Sequence, residues 1–356
     1  MPKYQFKIGD AKVELPIIQG GMGVGYSLHK LASAVAREGG IGIIATAGVG
    51  FAEPDFATHY PDANNRALRQ EIRKARELAR GGLLGTNIMV ALTNYDDMVS
   101  AAIEEGIDFI FSGAGLPLHL PALLHKVPNA KTKLVPIVSS GRALELITKT
   151  WVKNYNYFPD ATVVEGPKAG GHLGYKYEEL TGTPPKLKDI FLDVKASAEK
   201  IRQQFKKTIP VIAAGGIFTG KDIKEYLDLG AVAAQIGTRF VATEEADVSQ
   251  AVKELYVRTK KEDVIIIKSP VGMPGRAIRN EFLNAVGRGE KKPFRCPYHC
   301  IKTCNPTQSP YCIAFALINA NLGKLEEGFA FCGSNVYRVK EISTVPKLIH
   351  ELISGL

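Results

Sequence analysis

Two Gly-containing turns late in the chain have residue types that could bind an anion. Gly215-Gly216 follows the apolar run 211–214, and Gly237-Thr238 follows the run 233–236. Glycine lets backbone N–H groups approach an anion closely, and a helix that begins behind such a turn adds the positive end of its dipole. Thr238 adds a hydroxyl donor. One such turn alone would be read as a tight strand-to-helix connection, but two after consecutive strands predict a phosphate site next to Ala214 and Gln235.

A third turn carries an acid and a histidine. Glu165 closes the apolar run 161–165 and is followed by Gly170-Gly171-His172. A carboxylate at the end of an apolar run is costly unless it has a partner or a task. Imidazole titrates near neutral pH, so His172 is a candidate general base or proton donor. The alternative interpretation is a packed structural histidine.

Two earlier turns could complete a ligand site. The run 16–19 leads into Gly20-Gly21-Met22, where glycine would let backbone amides lie against a flat ring and Met22 could pack near it. The run 83–89 contains Asn87, whose amide could bond the edge of a heterocycle. A plain turn explains either segment equally well when it is considered alone.

The elements that must position these turns are short apolar runs that alternate with helical stretches. Such nearly continuous apolar runs are typical of parallel strands buried on both faces. Two α/β folds fit, a closed (β/α)8 TIM barrel and a doubly wound open sheet. Because the Gly-rich turns follow several different strands, we favour the barrel. The predicted strands are residues 16–19, 41–45, 83–89, 109–112, 134–138, 161–165, 211–214 and 233–236.

The alternation ends near Val257. We therefore predict a barrel over residues 1–257 and a lid or cap with a helical tail over residues 258–356. Within the lid, residues 269–280 are expected to form a Gly/Pro loop. Residues 50–65, rich in Pro, His, Tyr and Asp, are expected to form another loop at the barrel mouth.

Composition narrows the class of protein. The chain has 356 residues and a formal charge of +9, but its Lys and Arg residues are spread along helical stretches beside acids. This favours a small-molecule substrate over a nucleic-acid partner. No apolar run reaches the 18 residues that span a bilayer, and the first residues do not resemble a secretory signal. We expect a soluble, cytoplasmic protein without a membrane partner; a homodimer is compatible with these patterns.

The cysteines are clustered. Cys296, Cys300, Cys304 and Cys312 fall within 17 residues, with Cys332 apart from them. Dense thiols in a reducing compartment can bind zinc or an iron–sulfur cluster, although this spacing is not that of a zinc ribbon or a ferredoxin. The alternative is that the cysteines are small apolar side chains packed together in a buried cluster. Both interpretations stay open at this point.

Taken together, these motifs resemble the nitronate monooxygenase (2-nitropropane dioxygenase) family, which includes flavin-type enoyl-acyl-carrier-protein reductases. The similarity lies in PIIQGGMG from Pro16, GTNI from Gly85, EGPKAGGH from Glu165, AAGGI from Ala213, QIGTRF from Gln235 and SPVGMPGRAIRN from Ser269. These segments span nearly the whole chain in the family's order.

The resemblance implies a TIM barrel with non-covalent FMN and an active-site role for His172. It implies oxidation of alkyl nitronates with O2, or reduction of an enoyl thioester with NADH or NADPH as the electron donor. A barrel that binds another phosphorylated ligand without redox chemistry is the alternative from a different class. The implied flavin contacts are Gly21, Met22, Asn87, Gly171, Gly215, Gly216, Gln235, Gly237 and Thr238. We expect Glu165, Gly170 and Ala214, which adjoin these residues in the same turns, to bind the cofactor as well.

Overall fold

Eight parallel strands form a closed barrel in the computed structural model, which describes residues 4–290 and 294–356. A hairpin of β1 (Phe6–Ile8) and β2 (Ala11–Val13) comes first. The barrel strands are β3 (Ile17–Gln19), β4 (Ile41–Ala45), β5 (Leu83–Met89), β6 (Phe109–Gly113), β7 (Lys133–Val138), β8 (Thr162–Glu165), β10 (Val211–Ala214) and β11 (Ala233–Ile236); a two-residue strand β9 (Gly171–His172) lies between β8 and β10.

The closure of the sheet confirms the predicted TIM barrel. The last barrel strand, β11, pairs in parallel with the first, β3, with Gln235 opposite Ile18. A doubly wound sheet has two free edges and is therefore excluded. Each predicted strand is present, and its ends differ from the prediction by no more than one residue.

Helices surround the barrel and continue after it. Each barrel strand up to β10 is followed by at least one helix before the next, as right-handed parallel connections require. The helices are α1 (His29–Arg37), α2 (Tyr60–Ala79), α3 (Tyr95–Glu104), α4 (Leu120–His125), α5 (Gly141–Tyr155), α6 (Tyr177–Thr181), α7 (Leu187–Phe205), α8 (Gly220–Asp228), α9 (Thr238–Val241), α10 (Gln250–Arg258), α11 (Glu281–Gly287), α12 (Ile313–Asn321) and α13 (Val345–Ser354).

The barrel interior is a packed core. Ile43, Phe111 and Ile212 are fully buried there, together with Ile8 and Val13 of the β1–β2 hairpin. Burying each such side chain contributes roughly 1.5–3 kcal/mol. Because the hairpin belongs to this cluster, it closes the amino-terminal end of the barrel. The carboxyl ends of the strands are left as the end where a cavity can form.

The region after the barrel contains more regular structure than predicted. A hairpin of β12 (Val264–Lys268) and β13 (Pro274–Ile278) pairs with β9, with Gly275 opposite His172 and Arg276 opposite Gly171. The prediction of a loop over residues 269–280 was therefore wrong for its second half. Local composition favoured a loop, but antiparallel pairing with distant segments makes residues 274–278 a strand.

The predicted mouth loop over residues 50–65 was also wrong in part. Helix α2 begins at Tyr60, with Pro61 in its first turn. Proline is well tolerated there, because the N–H that it lacks would have no partner within the helix. Phe56, Tyr60 and Ala63 are buried in a second apolar cluster, which also contains residues of α11 and α12.

The carboxyl-terminal helix packs on the barrel. Leu348 and Leu352 of α13 belong to the same core cluster as the helices around the barrel. The domain boundary that we predict after residue 257 falls in the last turn of α10 and stays a prediction. Among the helices of the described residues, none combines the length and apolar character that crossing a membrane requires.

Candidate functional site

A cavity of about 300 Å³ lies at the carboxyl ends of the barrel strands. This is where ligands bind in barrels of this type, and the volume is in the range of small-molecule sites. The structure brings the predicted histidine and all the predicted cofactor residues to this cavity. Its lining includes Gly21, Met22, Asn87, Glu165, Gly170, Gly171, His172, Ala214, Gly215, Gly216, Gln235, Gly237 and Thr238.

The two Gly-containing turns lie side by side. Strands β10 and β11 are neighbours, with Ala214 opposite Gln235, so the turns that follow them emerge together. Both Gly215 and Gly216 have positive φ, 96° and 90°, which glycine adopts without strain. Within the described residues, the backbone N–H groups of Gly216 and Thr238 make no hydrogen bond. Unpaired donors at the end of a cavity are the chemistry of an anion site.

A segment that the sequence analysis missed completes this end of the cavity. Gly333 donates its N–H to Thr238 Oγ1 at 3.0 Å, and Asn335 donates its side-chain Nδ2 to the Gly216 carbonyl at 2.7 Å. Ser334 lines the cavity, and its hydroxyl is buried without a partner among the described residues. The run Gly333-Ser334-Asn335 has the composition of a ligand-binding turn. Because this run lies more than 90 residues after β11, its sequence alone does not indicate that it reaches the cavity.

The turn that follows β3 is held in place by the buried side chain of Gln19. Gln19 accepts the Ile43 N–H at 2.8 Å and donates to the Gly20 carbonyl. Met22 is held by its N–H bond to Ser27 Oγ at 2.9 Å. A side chain on Gly21 would overlap Asn87, so only glycine fits there. The turn is therefore held rigidly against the β5 end.

Glu165 lies at the end of β8 and lines the cavity. Burial raises the pKa of its carboxyl from 4.5 to about 7. Within the described residues it forms no ion pair with a basic side chain, and the nearby Tyr175 hydroxyl donates to its backbone carbonyl at 2.5 Å. A carboxyl that titrates near neutrality can accept a bond from a ring N–H or donate one when it is protonated.

His172 is held at the cavity wall by strand pairing. Its backbone belongs to β9, and its ring meets the Phe331 ring edge-on, with centroids 5.0 Å apart. Its Nε2 atom lies 2.8 Å from Ser269 Oγ. Burial lowers the pKa of His172 to about 4, so the imidazole is neutral at pH 7. Because Ser269 lies 97 residues from His172 in the chain, its contact with the histidine ring is not predicted from the SPVGMPGRAIRN motif that contains it.

A buried arginine ties the Gly-Gly-His turn to the missed segment. Arg276 on β13 is 7% exposed and donates to the Ala169 carbonyl, while its own carbonyl accepts the Cys332 N–H at 3.0 Å. Burial lowers the pKa of its guanidinium. Arg276 therefore holds together two segments that both line the cavity.

The remaining wall of the cavity is largely apolar. It is formed by Leu92 after β5, Ile301 in the Cys-containing segment, and Ile313 and Leu317 on α12, with Phe331 beside His172. Such a wall excludes water and fits a hydrocarbon portion of a substrate. The lid thus forms part of the site and does not only cover it.

The clustered cysteines are not arranged as metal ligands. Across residues 4–290 and 294–356, no group of three or more His, Cys, Asp or Glu side chains is placed to hold a metal ion. The metal interpretation of Cys296, Cys300, Cys304 and Cys312 is therefore not supported. Cys300 and Cys312 are buried in the second apolar cluster, as the structural interpretation predicts, and burial raises the pKa of Cys300 to about 12.

Comparison with known proteins gives the class of the chain. The family model for nitronate monooxygenase matches residues 5–355. The chain therefore belongs to the nitronate monooxygenase family of oxidoreductases. This assignment rules out the interpretation as a non-redox phosphate-binding barrel.

Individual relatives within and around this family carry different names. A probable nitronate monooxygenase of Staphylococcus saprophyticus is 26% identical over 299 residues, covering 78% of this chain and 79% of that protein. The solved structure of FabK from Thermotoga maritima is 29% identical, with a TM-score of 0.73 over 96% of this chain and 93% of that one. The nitroalkane oxidase of Streptomyces ansochromogenes, 22% identical with a TM-score of 0.73 over 97% and 96%, shows the shared fold.

Proposed function

We propose that this protein is an FMN-dependent oxidoreductase that oxidises alkyl nitronates with O2. The observation that carries the proposal is the set of unpaired donors where β10 and β11 end: the N–H groups of Gly216 and Thr238 and the buried Ser334 hydroxyl. The Ser334 hydroxyl is buried, and buried polar groups are rarely without partners; the N–H groups of the half-buried Gly216 and Thr238 line the same cavity. Together these donors indicate a missing acceptor. A phosphate dianion supplies such acceptor oxygens.

The rest of the cavity fits the flavin ring system. A Cβ on Gly171 would meet nothing within 4 Å, so this residue borders open space. The side-chain amides of Asn87 and Gln235 and the carboxyl of Glu165 line the same space and offer both donors and acceptors to a heterocycle edge. These residues would hold the ring, and Gly215, Gly216, Gly237, Thr238 and Ser334 would hold the phosphate.

When bound, FMN would supply an acceptor for substrate electrons and a donor of electrons to O2. The residues of the chain bind, orient and shield the reactants. The apolar wall with Leu92 and Leu317 would hold the alkyl part of a nitronate and exclude water. His172, neutral and fixed by Ser269, would contact the charged end of the substrate.

A second candidate is reduction of an enoyl thioester by NADH or NADPH. The 29% identity to FabK over nearly the full length of both chains favours it, and the apolar wall suits an acyl chain equally well. Both reactions need the same flavin site.

One experiment separates the candidates. The purified protein should be yellow, or become yellow with added FMN, and should consume O2 when it is given an alkyl nitronate. Rapid anaerobic bleaching by NADH or NADPH without nitronate turnover would select the reductase. A protein that stays colourless after incubation with FMN would refute both.

A further inference from the structure

The orientation of the His172 ring is fixed on three sides. Pairing of β9 with β13 holds its backbone, Phe331 meets the ring edge-on, and Ser269 Oγ lies 2.8 Å from Nε2. Among the described residues, Ser269 is the one polar partner of the ring. Because Nε2 points to Ser269 and His172 lines the cavity, Nδ1 is the ring nitrogen left for a ligand.

The hydrogen bonds of the Ser269 hydroxyl indicate which tautomer His172 adopts. Ser269 is 7% exposed, and its Oγ already receives the Val271 N–H at 3.5 Å. A serine hydroxyl has a single proton to donate and accepts through its lone pairs. If Nε2 carried the histidine proton, the serine would accept twice and its own buried proton would have no partner. If the serine donates to Nε2, the serine hydroxyl and Nε2 both have a partner, and the Nδ1–H is left for a ligand.

We infer that Ser269 is a positioning residue that holds neutral His172 with its proton on Nδ1, so that His172 presents an N–H donor to an anionic oxygen of the substrate. This inference rests on the proposed function for its substrate, but the tautomer itself does not. Burial keeps the imidazole neutral, so a single ring proton has to be placed, and the serine places it.

The tautomer has a consequence for substrate choice. An Nδ1–H group can donate to a nitronate oxygen, but it has no lone pair to remove a proton from a neutral nitroalkane. The protein should therefore prefer nitronates to the parent nitroalkanes. Loss of the serine hydroxyl frees the histidine to adopt either tautomer and should reduce that preference.

The direct test is ¹⁵N NMR of His172 in the purified protein, with the resonance assigned by its loss in His172→Gln. The inference expects the Nδ1–H pattern at pH 7, conversion to a mixture or to Nε2–H in Ser269→Ala, and the original pattern in Ser269→Thr. Thr303→Val is the matched control. It removes a hydroxyl bond of 2.8 Å to the Val271 carbonyl in the same loop without touching His172, and it should leave the tautomer unchanged.

Steady-state kinetics provide a second test of the inference. In Ser269→Ala the kcat/KM for a nitronate should fall about tenfold, the effect of one lost hydrogen bond, while that for the neutral nitroalkane should not fall. An Nε2–H pattern in the unmodified protein, or the same tautomer in Ser269→Ala, would overturn the inference. Because the NMR arm needs no turnover, failure of the flavin proposal would appear separately, as absence of FMN binding with the Nδ1–H pattern intact.

Discussion

The unpaired hydroxyl of Ser334 predicts opposite effects of one substitution on stability and on cofactor affinity. In the apo-protein its Oγ is buried without a partner among the described residues. Ser334→Ala removes this desolvated group, so the free energy of unfolding of the apo-protein should rise by about 1 kcal/mol. With FMN present, the same substitution removes a donor to the phosphate.

The loss of FMN affinity expected in Ser334→Ala follows from the strength of the lost hydrogen bond. A hydrogen bond to a charged group contributes roughly 1.5–3 kcal/mol, so the Kd for FMN should rise by about 10- to 100-fold. Flavin fluorescence quenching measures the Kd, and thermal unfolding of the apo-protein measures the stability.

Thr148→Val is the matched control. The Thr148 hydroxyl on α5 is also buried without a partner in the described chain, but it does not line the cavity. This variant should gain similar stability with no change in FMN affinity. If Ser334→Ala left the Kd unchanged, the assignment of this end of the cavity to phosphate would be wrong.

Three further predictions concern Glu165, His172 and Cys300. Because the pKa of Glu165 is raised from 4.5 to about 7, the folded protein holds a proton in this window that the unfolded chain releases, so apo-protein stability should fall as pH rises from 4.5 to 7. Denaturant titrations should show a flatter dependence for Glu165→Gln; an equal slope would contradict the burial argument. His172→Gln should retain FMN but lose roughly 100-fold or more in kcat, measured by O2 uptake, and near-normal turnover would remove its assigned role. Cys300→Ser, which buries a hydroxyl in an apolar cluster, should lower the unfolding free energy by about 1–3 kcal/mol while Cys300→Ala lowers it less, and equal effects would argue against apolar packing of the thiol.

The barrel was predictable because its strands are buried on both faces. Residues 41–45 and 211–214 are continuous apolar runs, and the structure places strands at the same positions. The two turns at the end of the cavity were predictable for a similar local reason: Gly215-Gly216 directly follows β10, and Gly237-Thr238 directly follows β11. Local sequence is enough to predict a site residue when that residue directly follows a recognisable strand.

The missed features depend on distant contacts. A two-residue strand at Gly171–His172 has no local signal, since it exists only because β13 pairs with it. Ser334 lines the cavity and Ser269 contacts His172 because the lid folds onto the barrel, and no motif spacing predicts either contact. The helix start at Tyr60 was missed because its Pro and Asp neighbours are as common in loops as in a first helical turn.

The most direct test of phosphate binding in the cavity compares the dissociation constants of FMN and riboflavin. Riboflavin has the same ring system as FMN and no phosphate. The donors at Gly216, Thr238 and Ser334 predict that FMN binds at least about 100-fold more tightly at moderate salt. Equal dissociation constants for the two flavins would contradict the account.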